Sequence, residues 1–182
     1  MDTLNKILKQ CIKGDELSCK KLYAMFLPYC ISICKRYGVL DADLKDQIQI
    51  IFSSTFNSLE KFNSSKASFK TWFTRICINK VIEQRRRKNS NWNQVEFDET
   101  ESPLQFDNSL EINEKIDRQY ILEALKQMPA KYQSVFNLFI IDGFTHKEIS
   151  KKLSISEGSS RIILKRARGW AQQTLTSLLK LS

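Results

Sequence analysis

The stretch "HKEISKKLSISEGSSRIILKRARGW", residues 146–170, decides how this chain is read. Thr145 precedes Glu148 by three positions, the spacing of a capping box, in which a hydroxyl and a carboxylate each satisfy a free backbone N–H at a helix start. The helix it opens is expected to run to about Lys152. "LSIS" then makes a turn, and Ser156 caps a second helix whose Glu157 complements the helix dipole. A short helix, a four-residue turn and a longer basic helix have the proportions of a helix-turn-helix.

The second helix has a testable geometry. At about 100° per residue, turning Leu164, Ala167 and Ala171 inward sets Arg161 and Lys165 one turn apart on the outward face, with Ile162 and Arg166 beside them. Such a face fits the major groove of DNA, where Arg and Lys donate to guanine edges and an apolar side chain meets a thymine methyl. The candidate reading residues are Ser159, Arg161, Ile162, Lys165, Arg166 and Arg168, those furthest along the helix gripping phosphates. A merely solvated amphipathic face is the plainer alternative. Its weakness is sign, since no acid lies between Ser159 and the C-terminus.

Charge elsewhere is equally uneven within a chain of 182 residues and net charge +9. From Lys61 through Lys88, nine Lys or Arg stand against the single acid Glu83, whereas Asn91 through Glu114 holds seven acids and no base. Two positive blocks joined by a negative tether suggest a polyanionic partner, because clustered cations on phosphates release counterions. Only five Gly and three Pro interrupt a sequence rich in Leu, Ile, Lys, Glu and Gln, so the chain is expected to be all-α.

The apolar periodicity agrees with this. Leu4, Ile7, Leu8 and Cys11 share one helical face. Asp15 is expected to cap a helix carrying Leu22, Phe26, Cys30, Ile33 and Tyr37, with Pro28 inside it. Asp41 offers a further cap, before a stripe of Leu44, Ile48, Ile51, Phe52 and Phe56. A fourth helix is expected from about Phe69 to Arg87, completing a compact bundle. Residues 91–111 read as a flexible acidic linker, although Trp92, Val95, Phe97 and Phe106 are apolar enough to pack on a neighbouring domain or anchor in a partner's groove. Helical pattern resumes at Ile112 and continues to Leu125. Pro129 is then expected as the first residue of a helix bearing Tyr132, Val135, Phe136, Phe139 and Ile140.

With these residues in view, "ILEALKQMPAKYQSVFNLFIIDGFTHKEISKKLSISEGSSRIILKRAR" resembles region 4 of bacterial sigma factors of the extracytoplasmic function group. That pattern runs from a Leu-Pro step through a Gly with a hydroxyl residue, Glu-Ile-Ala, a turn and Ser-x-Gly-Thr-Val to Arg-Ala-Arg. This chain has Met128-Pro129, Gly143, Thr145, Glu148-Ile149-Ser150, Ser156, Gly158-Ser159-Ser160 and Arg166-Ala167-Arg168. Ser160 stands where the family has an inward Val and Ile163 where it often has Arg, departures that imply a rotated helix or a different reading of its site.

The same family has a region 2 upstream, and "DQIQIIF" resembles its polymerase-binding motif. The resemblance gives Asp46, Gln49, Phe52 and Ser53 to docking on core RNA polymerase, with Ile50 replacing a frequent acid. "FNSSKASFKTWFTRICINKVIEQRRRKN", residues 62–89, resembles the promoter-melting segment. It implies a pocket for an extruded base from Asn63, Ser64, Ser65 and Lys66, and a strand-holding surface from Trp72, Phe73, Arg75, Asn79 and Lys80. Gln84, Arg85, Arg86 and Arg87 would grip duplex phosphates. Trp72 and Phe73 are equally suited to the core. Aromatic stacking is worth about 1–3 kcal/mol per base, so two or three such contacts offset unstacking.

The organisation implied is an all-helical sigma factor in three parts: region 2 over 1–90, the acidic linker over 91–111, and region 4 over 112–182. It brings core RNA polymerase to promoter DNA, region 4 on the minus-35 element and region 2 opening the minus-10 element, with the linker in a nucleic-acid channel of the polymerase. The family also implies an anti-sigma partner, often membrane-anchored. No cofactor, metal, small-molecule substrate or catalytic residue is expected. Two other classes remain: a stand-alone helix-turn-helix regulator, and a helical nuclease using Asp41, Asp43 and Asp46, which lacks further ligands nearby.

The five cysteines, Cys11, Cys19, Cys30, Cys34 and Cys77, read as structural thiols of a reducing compartment. Cys30 and Cys34 share a helical turn, but the sole His146 is distant in sequence, so a metal site is not expected. Neither a signal-peptide core nor a membrane-spanning run of about 20 apolar residues is visible, which suits a cytoplasmic protein.

Overall fold

The structure, a computed structural model, describes residues 2–88 and 127–180. Every regular element among these residues is helical, and the chain divides into two units at Lys88. The acidic linker and the helix expected from Ile112 to Leu125 lie outside the described residues.

The first unit comprises α1 (Asp2–Ile12), α2 (Glu16–Arg36), α3 (Asp41–Asn57), a 3-10 turn (Leu59–Lys61) and α4 (Phe69–Lys88). Ile7, Leu8 and Cys11 bury one face of α1, as their spacing demands. Gly14, at φ +84°, makes the reversal into α2, a conformation that costs other residues about 1 kcal/mol or more. Asp15 caps α2, its carboxylate accepting from the Ser18 N–H at 2.9 Å. The helix then passes through Pro28 and ends at Arg36.

The cap expected of Asp41 belongs instead to Leu40, whose backbone is extended. Asp41 is the first helical residue. There, with Asp43, it places negative charge at the positive end of α3, and it reaches Lys35 at 3.3 Å.

The core of this unit forms where α2, α3 and α4 meet. Leu22, Ile33, Tyr37, Ile51, Phe73, Ile78 and Val81 are fully buried. Phe73 sits at its centre, with ring centroids 5.2 Å from Phe26, 5.4 Å from Phe52 and 6.0 Å from Phe69. Cys30, Cys34 and Cys77 are also fully buried. The hydrogen bond with Cys30, and then burial, push the Cys34 thiol well above its ordinary range, so it stays protonated.

The second unit contains α5 (Ala130–Phe136), a π-helical turn (Asn137–Ile141), α6 (His146–Leu153) and α7 (Glu157–Lys180). Pro129 is the N-cap of α5, one position before the first helical residue expected of it. Met128, Tyr132 and Phe136 pack against Ala167, Trp170 and Ala171, which joins α5 to the middle of α7. The π turn closes through Asp142 N–H to Asn137 O at 2.9 Å.

Thr145 and Glu148 form the capping box. The Thr145 hydroxyl accepts from the Glu148 N–H at 3.3 Å, and the Glu148 carboxylate accepts from the Thr145 N–H at 2.9 Å. Ser154 ends α6 in the left-handed region at φ 55°, and Ser156 then caps α7, accepting from the Ser159 N–H at 2.9 Å.

Thr145→Ala removes the hydroxyl that accepts from the Glu148 N–H, leaving only the Glu148 carboxylate on the N–H of residue 145. It is expected to lower the unfolding free energy of the second unit by about 1 kcal/mol, read in urea melts of the full chain.

Candidate nucleic-acid interface

Helix α7 buries Ser160, Ile163, Leu164 and Ala167. Its opposite side therefore exposes Arg161, Ile162 and Lys165, with Arg168 also in solvent. Ile162 is 47% exposed, between the two cations on that side. Arg166 is half-buried, so it is set apart from the outward group. Ser159 is half-buried as well, with its hydroxyl accepting from Ser156 at 2.8 Å, a role in the cap rather than an open reading position.

Glu157 lies 3.8 Å from Arg161, both side chains largely exposed. A pair of this kind contributes a few tenths of a kcal/mol, too little to hold the guanidinium from DNA. Ser160 and Ile163, the two departures from the family pattern, both face the core, at 0% and 1% exposure.

Sequence reading missed the partner of Ser160. His146, the first residue of α6, places Nδ1 2.9 Å from the Ser160 hydroxyl. Its ring stacks on Phe139, centroids 4.5 Å apart and planes at 26°. Burial, then Arg161, depresses the imidazole pKa; Glu157 opposes and Arg168 adds to the depression. A hydroxyl at an inward helical position demands a partner; that demand was the signal available in the sequence.

On α4, the 100° step divides the expected residues into two sets. Trp72, Arg75, Asn79 and Arg86 fall within one narrow sector, with Arg75, Asn79 and Arg86 exposed and Trp72 half-buried. Phe62 and Phe69 back the Trp72 ring at 5.4 Å and 5.6 Å, fixing it as a ledge. Phe73 does not join this surface. It is fully buried among Phe26, Phe52 and Phe69, so its expected strand-holding role is corrected to a core role.

The basic run is divided in the same way. Arg86 and Arg87 are exposed, and Arg87 reaches Glu83 at 2.7 Å. Gln84 and Arg85 are half-buried. Burial holds the Arg85 guanidinium below its ordinary pKa, with the Tyr37 phenol opposing the shift. Lys80 turns toward α3 and bridges Glu83 at 3.0 Å, which with Arg87 keeps that carboxylate's pKa low.

The loop before α4 is organised by Asn63. Its side-chain oxygen accepts from the Ser65 N–H at 2.9 Å and the Ser65 hydroxyl at 2.7 Å, and its carbonyl accepts from the Lys66 N–H at 3.1 Å. Asn63, Ser64, Ser65 and Lys66 are all exposed. An Asx turn of this kind presets the backbone at little cost in ordering when a ligand arrives.

On α3, Asp46, Gln49 and Ser53 are exposed and line an open groove with Ile50, Ser54, Asn57, Ser58 and Lys80. Phe52 does not: 4% exposed, it packs on Tyr23 at 4.4 Å and on Phe73. Its expected contact role is corrected to support from beneath, because its side of α3 carries the helix onto the core.

The geometry defines a DNA-binding protein of two helical units, one of them a capped helix-turn-helix. The sigma-70 region 2 family matches residues 22–91, and the sigma-70 region 4 family matches residues 118–170. The ECF RNA polymerase sigma-E factor of Escherichia coli K12 is 25% identical over 172 residues, covering 89% of this chain and 88% of that protein. RNA polymerase sigma factor NccH of Alcaligenes xylosoxydans xylosoxydans is 23% identical over 180 residues, covering 97% and 94%. The sigma factor RpoE of Bartonella quintana, solved with the anti-sigma factor NepR, shares the fold at TM-score 0.51 and 18% identity, over 86% of this chain and 96% of that one. This chain belongs to the sigma-70 family of RNA polymerase sigma factors, in the extracytoplasmic function group.

Two measurements check these placements. Phe73→Ala is expected to cost about 3–5 kcal/mol of unfolding free energy through the cavity it leaves. Trp72→Ala, at a half-buried ring, is expected to cost less in the same melt.

His146 gives a pH dependence of known sign. Unfolded, it titrates near 6.5; folded, its pKa is lower, so the unfolded chain binds the extra proton between the two values. Stability from this group is complete above about pH 6.5 and declines as pH falls through that window toward the folded pKa. Melts of the wild type should lose more stability from pH 7 to 5 than those of His146→Asn.

Proposed function

We propose that the first unit holds core RNA polymerase by the α3 groove of Asp46, Gln49 and Ser53 and opens the minus-10 element with the α4 sector of Trp72, Arg75, Asn79 and Arg86. The second unit reads the minus-35 element with Arg161, Ile162 and Lys165, while Arg168 grips a phosphate. The single observation carrying this reading is the outward trio on α7, two cations around an exposed isoleucine on a helix-turn-helix of the correct order. Neighbouring Asn63, Ser64, Ser65 and Lys66 supply the pocket for an extruded base.

The domain limits proposed are 1–90 and 112–182, with residues 91–111 as an anionic tether running through a nucleic-acid channel of the polymerase. The polymerase sets the separation of the two units. Phosphate contacts at both ends then reinforce each other by effective concentration, which gives tight and salt-sensitive promoter binding. The protein acts in the cytoplasm and carries out no chemistry of its own. An anti-sigma factor restrains it, a reading supported by the complex of the Bartonella quintana sigma factor RpoE with the anti-sigma factor NepR. Among the described residues, no helix is long and apolar enough to cross a membrane.

Run-off transcription with purified core polymerase tests the reading. A defined transcript is expected only when the protein is added. Arg161→Ala should lower use of the upstream element by about tenfold or more, the loss of one good base contact. Gln49→Ala should weaken binding to core while leaving isolated DNA contacts unchanged. Promoter selection of equal tightness by the purified chain without polymerase contradicts the proposal and favours a stand-alone regulator.

A further inference from the structure

The elbow between α6 and α7 is joined by hydrogen bonds at both ends, in a chain whose family pattern has Ala and Val at the two positions concerned. Ser150 donates its hydroxyl proton to the Ile155 carbonyl at 2.6 Å, inside the turn that Ser154 makes at φ 55°. Ser160, fully buried in the first turn of α7, pairs with His146 Nδ1 at 2.9 Å across the two helices. Phe139 of the π turn stacks on the same imidazole and restricts its swing. The His146 ring is thus held from one side by a stack and from the other by a directional bond.

Directionality is what distinguishes this contact from a packed valine. Apolar burial is rewarded at almost any rotation that excludes water, whereas a hydrogen bond weakens steeply once its angle is lost. Ser160 immediately precedes Arg161 and Ile162 in the sequence, and Lys165 lies about 7.5 Å further along the axis at 1.5 Å per residue. A turn of α7 about its own axis that breaks the Ser160 bond therefore moves all three outward side chains together.

We propose that His146 is a positioning residue for upstream-element recognition, its bond to Ser160 setting the rotation of α7 and hence the alignment of Arg161, Ile162 and Lys165 with base edges. The inference rests on the reading of α7 as the minus-35 helix. It assigns a sequence-selective role to a side chain that belongs to the first helix of the motif rather than the recognition helix. Asn can place its side-chain oxygen near the Nδ1 position, so His146→Asn is the conservative variant; His146→Ala and Ser160→Val each break the pair.

The test uses the full chain with core polymerase on three templates. The first carries an upstream element selected by the wild type from a randomised library, the second differs from it by single base changes, and the third is pre-opened and lacks the element. Wild type should prefer the matched over the mismatched template by about tenfold, the scale of one wrong base pair. His146→Ala and Ser160→Val should reduce that preference to about threefold or less, His146→Asn should retain most of it, and all four proteins should initiate equally on the pre-opened template.

A loss of equal size on matched and mismatched templates marks a folding defect and overturns the proposal, as does a preference unchanged in His146→Ala. If the wild type itself shows no preference, the minus-35 reading fails and takes this inference with it. Preference in the wild type that survives intact in His146→Ala removes the positioning role alone.

Discussion

Burial of one seam on each functional helix is the constraint from which the rest follows. A helix turns about 100° per residue, so fixing which residues meet the core fixes the direction of every other side chain on it. On α7 the seam is Ser160, Ile163, Leu164 and Ala167, with the small Ala167 meeting Met128 and the aromatic edges of Tyr132 and Phe136. On α4 it is Phe73, Cys77, Ile78 and Val81, all fully buried. Neither cationic surface is held by attractions among its own side chains, which are alike in charge; each is aimed by the apolar side opposite.

That division of labour has an electrostatic consequence. Gathering cations on one face costs self-repulsion in the free protein, and acids placed beside them moderate it. Glu83 bridges Lys80 and Arg87, while Glu157 stands one turn before Arg161. All three of those cations are at least partly in solvent, where ion pairs are weak, so polyanion binding exchanges them at small cost. Arg85 differs, being half-buried and partly desolvated. A run of four bases in the sequence is thus not one patch on the fold.

Much of the architecture was legible in the sequence because its signals are local. The capping box at Thr145, the cap at Asp15, the turn before Ser156 and the apolar spacing of α1 depend on residues within one or two turns of each other. Cap positions at Leu40 and Pro129 fell one residue from expectation, since several neighbours there satisfy the same local rule. The outward placement of Arg161, Ile162 and Lys165 was legible too, from the inward Leu164 and Ala167. The spacing of α3 put Phe52 on the apolar stripe, although the resemblance gave it to docking, whereas Phe73 was left equally suited to core and strand. An aromatic residue has the same hydrophobic character whether it faces a core or a nucleobase, and only the packing of α2 against α3 and α4 separates the two.

Composition and helical spacing alone determined the class: a basic chain, all helical where described, with a helix-turn-helix and a second cationic block upstream. Tertiary structure alone decided that Trp72 forms a ledge while its neighbour Phe73 is core, that Lys80 faces the α3 groove, and that His146 meets Ser160 across the elbow. The reason is range. Caps and periodicity act over a few residues along the chain, whereas burial and pairing between helices depend on distances that a linear sequence does not contain.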